Sequence, residues 1–183
     1  MGARESAAPM TLVTQRLRLR PWRESDLAPF AAMNADPQVM EHFPAVQSRA
    51  ESDASARRML AALAENGWGM WALEVAGGEP FIGFAGLAHK RFAAPFTPCT
   101  EVGWRLARTA WGKGYATEAA RAAVAFGFGK LGLAEIVSYA ALGNARSIAV
   151  MERLGMRRDI EFDHPLVATG SPVRRHVLYR LPR

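Results

Sequence analysis

Along TQRLRLRPW (residues 14–22) leucine and arginine alternate, Leu17 and Leu19 on one side, Arg16, Arg18 and Arg20 on the other. That period of two predicts a half-exposed strand, which Pro21 stops. The next stretch, ESDLAPFAAMNADPQVMEHFP (24–44), reads as a helix capped near Ser25 or Asp26 and broken around Asp36-Pro37. SRAESDASARRMLAALAENG (48–67) reads as a second helix ending at Gly67. Two apolar runs joined by Gly77-Gly78 (68–90) signal a hairpin. After a loop, TEVGWRLA (100–107) adds a third member to the antiparallel run, with Val102, Trp104 and Leu106 alternating against Glu101, Gly103 and Arg105. From Tyr115 to about Lys130 alanines recur at helical spacing. EIVSYAAL (135–142) then reads as a buried strand, and NARSIAVMERLGM (144–156) as a short helix with Asn144 at its start and Gly155 at its stop. IEFDHPLV and RRHVLYRL close the chain as a hairpin, the second a clear period-two strand.

An antiparallel run, a strand, helix, strand crossover and a closing hairpin predict an α/β (α+β) fold. Its mixed, mostly antiparallel central sheet has about seven strands flanked by helices. A doubly wound dinucleotide fold is disfavoured, because its glycine turn follows the first strand, whereas here four strands and two helices precede the glycines.

Composition narrows this further. With 183 residues, half of them hydrophobic, the chain fits a single domain over 1–183, with 1–10 expected as a flexible tail. The single cysteine, Cys99, cannot form an internal disulfide, and MGARESAAPM lacks the apolar run of a signal peptide. The expected compartment is the cytoplasm. No apolar stretch approaches the roughly 20 residues needed to cross a bilayer. A net charge of +6 favours an anionic ligand, but the arginines are scattered rather than striped, which argues against nucleic acid.

The chemistry centres on WGKGYATEA (111–119). Glycines at the mouth of a helix let a ligand approach the backbone, and the first helical N–H groups lack intrahelical partners and attract anions. Lys113, between Gly112 and Gly114, adds a mobile positive charge suited to a phosphate. By themselves these residues also fit an ordinary loop-to-helix junction with a solvated lysine.

The run EVGWRLARTAWGKGYATEAARA, followed by NARSIAVMERLGM, resembles the GNAT superfamily of acetyl-CoA-dependent N-acetyltransferases. Within it, the chain resembles the branch containing the ribosomal-protein alanine N-acetyltransferases. The resemblance extends from TQRLRLRPW to RRHVLYRL. It implies that acetyl-CoA is the cosubstrate, that an amine is the acceptor, and that no metal takes part. It also implies a phosphate loop of Trp111, Gly112, Lys113, Gly114, Tyr115 and Ala116, in which Trp111 replaces the usual Gln or Arg and leaves the backbone amides as the phosphate contacts. The main chain of Trp104, Arg105 and Leu106 would pair with pantetheine like an added strand. Asn144 and Ser147 match the family's Asn-x-x-Ser/Ala and would flank pantetheine near its sulfur, or simply cap the helix.

Acetyl transfer to an amine needs a neutral nucleophile, a polarised carbonyl and a proton for the departing thiolate. Glu101, on the strand before the loop, is the candidate base, acting directly or through water. It could equally be a solvated or ion-paired strand residue. Met151 stands where the family commonly has a tyrosine acid, so Ser147 or an ordered water is the candidate proton donor. That methionine also keeps open a non-catalytic acyl-CoA-binding or regulatory module. His89, His164 and His176 lack metal-ligand spacing, and Cys99 is a bystander. Trp68, Trp71 and Phe43 could wall the acceptor pocket, with core packing expected for at least one of the tryptophans. A protein N-terminal amine and a small-molecule amine are both plausible acceptors, and a monomer and a homodimer both plausible assemblies.

Overall fold

A computed structural model describes residues 10–183, so residues 1–9 of the expected tail lie outside the described region. The chain runs β1 (Leu12–Val13), β2 (Leu17–Arg20), α1 (Leu27–Ala35), α2 (Arg49–Asn66), β3 (Met70–Val75), β4 (Gly83–Lys90) and β5 (Cys99–Leu106). It continues with α3 (Tyr115–Gly129), β6 (Glu135–Ala141), α4 (Ala145–Arg153), β7 (Arg157–Asp163) and β8 (Arg175–Pro182). These strands form one eight-stranded sheet in the order β1-β2-β3-β4-β5-β6-β8-β7. Every neighbouring pair is antiparallel except β5 and β6. The strand beyond the expected seven is β1, whose two residues are too short to leave a period in the sequence.

Helix α1 ends at Ala35, and residues 36–47 form turns instead of continuing to Pro44. Proline disfavours helical geometry in the residue before it and donates no N–H, so Asp36-Pro37 stops the helix outright. Helix α2 ends on Gly67, as the sequence predicts, and opens with a capping box between Ser48 and Glu51.

Helix α3 packs on one face of the sheet, against β4 and β5. Its fully buried Ala119, Ala120 and Ala123 let the helix axis come close, and Phe126 meets Trp71 edge-on at 5.5 Å. Elsewhere in the same core Trp22, Phe30, Phe81 and Phe84 pack ring against ring around α1. A smaller cluster of Phe96, Val137, Phe162 and Leu178 supports the β6–β8–β7 half.

Two strand faces depart from simple alternation. Arg20, expected beside Arg16 and Arg18 on the solvent side, is buried and clamped by Asp26 and Glu74, both at 2.7 Å. The turn leading into α1 covers that end of β2, so the polar face of the strand is roofed rather than wet. On β5, Glu101 is also buried, at 8% exposure.

The junction of β5 and β6 positions the site. β5 pairs with β4 along its whole length, from Cys99 to Leu106, but with β6 the register holds a single pair, Glu101 with Val137. Beyond it the two parallel strands diverge, and the β6-facing edge of residues 102–106 has no register partner. An edge left open inside a sheet can accept an extended ligand as a substitute strand.

Candidate active site

After β5 a short 3-10 turn at Arg108–Ala110 delivers the chain to the glycine loop. Gly112 and Gly114 both have positive φ, +74° and +79°, a conformation that side chains rarely adopt. Nothing lies within 4 Å of where a Cβ at Gly112 would point, so the loop faces open space. The N–H of Glu118 bonds to the Gly114 carbonyl at 3.1 Å. The N–H groups of Tyr115, Ala116 and Thr117 precede that bond and are the helix's anion-receptive end.

The loop is fastened from β2's approach. Arg16 donates to the Lys113 carbonyl at 2.9 Å, pairs with Glu118 at 2.6 Å and lies over the Tyr115 ring at 4.9 Å. Thr14 also donates to Glu118, at 2.6 Å. Partial burial opposes ionisation of Glu118, but the hydrogen bonds from Thr14 and Arg16 prevail and hold its carboxyl below the ordinary range. Sequence reading missed this clamp, because Arg16 and Glu118 lie 102 positions apart.

In front of the loop runs a cleft of about 1200 Å³. Every residue the resemblance assigned to the cofactor lines it except Lys113, whose carbonyl is held by Arg16. Trp111 uses its indole N–H on the Leu106 carbonyl at 2.9 Å, leaving that N–H committed within the protein. Arg146 lies 4.4 Å over the Trp111 ring and pairs with Glu41, and Arg121 and Arg153 line the same cleft. These arginines were not singled out from the sequence. Their signal was the positive net charge, which does not say where the charge gathers. An open loop of unpaired amides, several arginines and an unpaired strand edge fit a long ligand carrying a pyrophosphate at one end and an amide chain at the other.

A second cavity, about 680 Å³, lies on the Glu101 side. The two meet at Trp104, Arg105, Asn144 and Ser147, with His42 and Phe43 also common to both. Asn144 accepts the N–H of Ser147 at 3.1 Å, so it caps α4 and lines the junction together. Glu101 pairs with Lys90 at 3.0 Å, and Tyr139 lines the same cavity. Burial raises its carboxyl above the ordinary value, and Lys90 only partly offsets this. Burial and the neighbouring Glu101 charge likewise raise the Tyr139 phenol, which stays protonated. Tyr139 was missed because EIVSYAAL reads as an undifferentiated buried strand.

Of the residues weighed for the acceptor side, Trp68 and Phe43 line the second cavity, whereas Trp71 is fully buried in the core. Met151 is also fully buried in the core. His89, His164 and His176 all line the second cavity; burial lowers the His164 imidazole to about 4, which keeps it neutral. Burial pushes the Cys99 thiol up to about 11, far from nucleophilic readiness. Among the described residues no group of three or more His, Cys, Asp or Glu could hold a metal ion.

A pyrophosphate-receptive cleft meeting a cavity with a buried carboxyl is the layout of a coenzyme A-dependent acyltransferase. Residues 16–157 match the acetyltransferase (GNAT) domain, and the chain belongs to that family. It is 34% identical over 159 residues to the FsC-acetyl coenzyme A-N(2)-transacetylase of Aspergillus fumigatus, covering 81% of this chain and 66% of that longer protein. An acetyltransferase from Agrobacterium tumefaciens superposes over all of both chains with a TM-score of 0.78 at 28% identity. RimJ of Mycobacterium smegmatis, solved in complex with CoA-disulfide, shares the fold with a TM-score of 0.74 at 21% identity over 95% of this chain and 88% of its own. The protein is an acetyl-CoA-dependent N-acetyltransferase. No helix among the described residues is long and apolar enough to cross a membrane.

Proposed function

We propose that the enzyme passes the acetyl group of acetyl-CoA directly to a primary amine, a protein N-terminus or a small molecule, with both substrates bound at once. The observation that carries this reading is the junction of the two cavities at Trp104, Arg105, Asn144 and Ser147. A thioester entering along the glycine-loop cleft and an amine entering from the Glu101 side would meet there without an acyl-enzyme.

When bound, acetyl-CoA supplies an activated acyl group and a thiol leaving group. The chain's part is holding and proton management. Backbone N–H groups around Gly112, Lys113, Gly114, Tyr115 and Ala116 would hold the pyrophosphate, and the open edge at Trp104, Arg105 and Leu106 would align pantetheine. Trp111 would contribute packing. Asn144 fixes the first turn of α4, which presents Ser147 to the junction, where Ser147 or a water would protonate the departing thiolate.

Glu101 would take the proton from the attacking amine, directly or through water. Its raised pKa makes it a stronger base than an ordinary carboxylate, and Lys90 holds it in place. The ionised form is the active one, so the rate should fall as pH drops through a pKa above the ordinary 4.5. A thiol-release assay over amines and N-terminal peptides, run across pH, tests this. Glu101→Gln should lower kcat by about 100-fold or more and remove the acidic limb. An unaltered profile would exclude Glu101 as base, and no release with any amine would overturn the function.

A further inference from the structure

The second cavity carries a charge that acetyl transfer by itself does not require. Arg105 extends from β5 with its guanidinium 4.0 Å from the centre of the Phe43 ring and 5.6 Å from that of Phe84. One nitrogen, Nη1, donates to the Asn34 amide oxygen at 2.8 Å, while Nε is buried with no hydrogen-bond partner. Among the described residues no carboxylate pairs with it. A half-buried arginine without a counter-anion bears a desolvation cost that one amide oxygen and two aromatic rings offset only in part.

The surrounding groups point the same way. Among the described residues lining this cavity Glu101 is the one carboxylate, and Lys90 already neutralises it. Arg58, tethered to Ser55 at 2.8 Å, is a second cation on the same wall. His164 stays neutral and so supplies no further charge. The cavity therefore offers a base for an ammonium group and, separately, an uncompensated guanidinium framed by aromatic rings. A guanidinium on aromatic faces is suited to a carboxylate, which Nη2, the nitrogen neither bonded to Asn34 nor buried, can meet.

The geometry points to an acceptor that is an amine bearing its own carboxylate, with the amine directed to Glu101 and the carboxylate to Arg105. This rests on the amine-acceptor reading above and names the class of amine. The carboxylate could come from a free amino acid or from an acidic residue at the start of a peptide, and the chemistry recognised is the same.

The test uses the unaltered enzyme first. Thiol release would be measured with alanine and glutamine against their α-carboxamides, and with peptides starting in Asp or Glu against the same peptides starting in Asn or Gln. The acids should be preferred in kcat/KM by about 10- to 100-fold, the range for one charge-assisted contact. The more active arm names the source. Arg105→Met should collapse that preference through the KM of the acid, and Arg105→Lys should restore only part of it. Acids turned over no better than their amides by the unaltered enzyme would overturn the inference while leaving the function standing. Turnover of none of these while another amine is acetylated would overturn the inference alone, and turnover of no amine at all would overturn both.

Discussion

Arg20, buried on β2, and Arg105, half-buried on β5, have opposite surroundings. Arg20 donates to Asp26 through two nitrogens, at 2.7 and 2.9 Å, and to Glu74 through Nε at 2.7 Å. These partners, Asp26 first, hold its guanidinium above the ordinary range even though burial opposes it. Arg105 has one amide and two aromatic rings, and burial lowers it to about 10. A fully paired interior charge ties the entry of α1 to the sheet. One left short of partners, at the meeting of two cavities, leaves binding capacity for something that arrives.

The sharpest way to break this comparison is Arg20→Met. It strands the buried Asp26 carboxylate and should cost about 3–5 kcal/mol in urea unfolding. A loss under about 1 kcal/mol would mean the clamp is not structural. Arg105→Met should behave differently, because it exchanges an uncompensated charge for an apolar chain of similar length. Stability should fall by about 1–3 kcal/mol, because the buried Asn34 amide oxygen loses its donor. A loss matching that of Arg20→Met would make Arg105 part of the scaffold and not a binding group.

The smallest effect lies in acid. Hydrogen bonding to Arg20 lowers the Glu74 carboxyl from its ordinary 4.5. Its contribution is therefore present above that value and lost as pH falls through the lower folded value. The unaltered protein and Arg105→Met should lose stability in parallel below about pH 4.5, and Arg20→Met should decline less steeply, as read by thermal unfolding across pH. Equal slopes in all three would remove Arg20 as the cause.

Elements whose signals are local were legible along the chain. The Leu17/Leu19 alternation, the Gly67 stop of α2, and the glycine loop ahead of α3 each act within a few residues, so the sequence displays them. The resemblance added Trp104, Arg105, Leu106, Asn144 and Ser147, which line one cleft although about 40 positions separate the two groups. Groups defined by distant partners escaped: the Arg16–Glu118 clamp, the sharing of one cavity by Tyr139 and Glu101, and the burial of Arg20. In each case only a neighbour from another element defines the group.

The sequence by itself determined the order of elements, the anion-receptive loop and the family to which the chain belongs. Periodicity, caps and positive-φ glycines are short-range properties that survive in one dimension. Tertiary structure decided where β5 leaves β6, that two cavities meet along that opening, and that Glu101 is buried beside Lys90 while Arg105 lacks a carboxylate partner. Those outcomes depend on desolvation and charge pairing, which are set by what surrounds a residue in space and not by what flanks it in the chain.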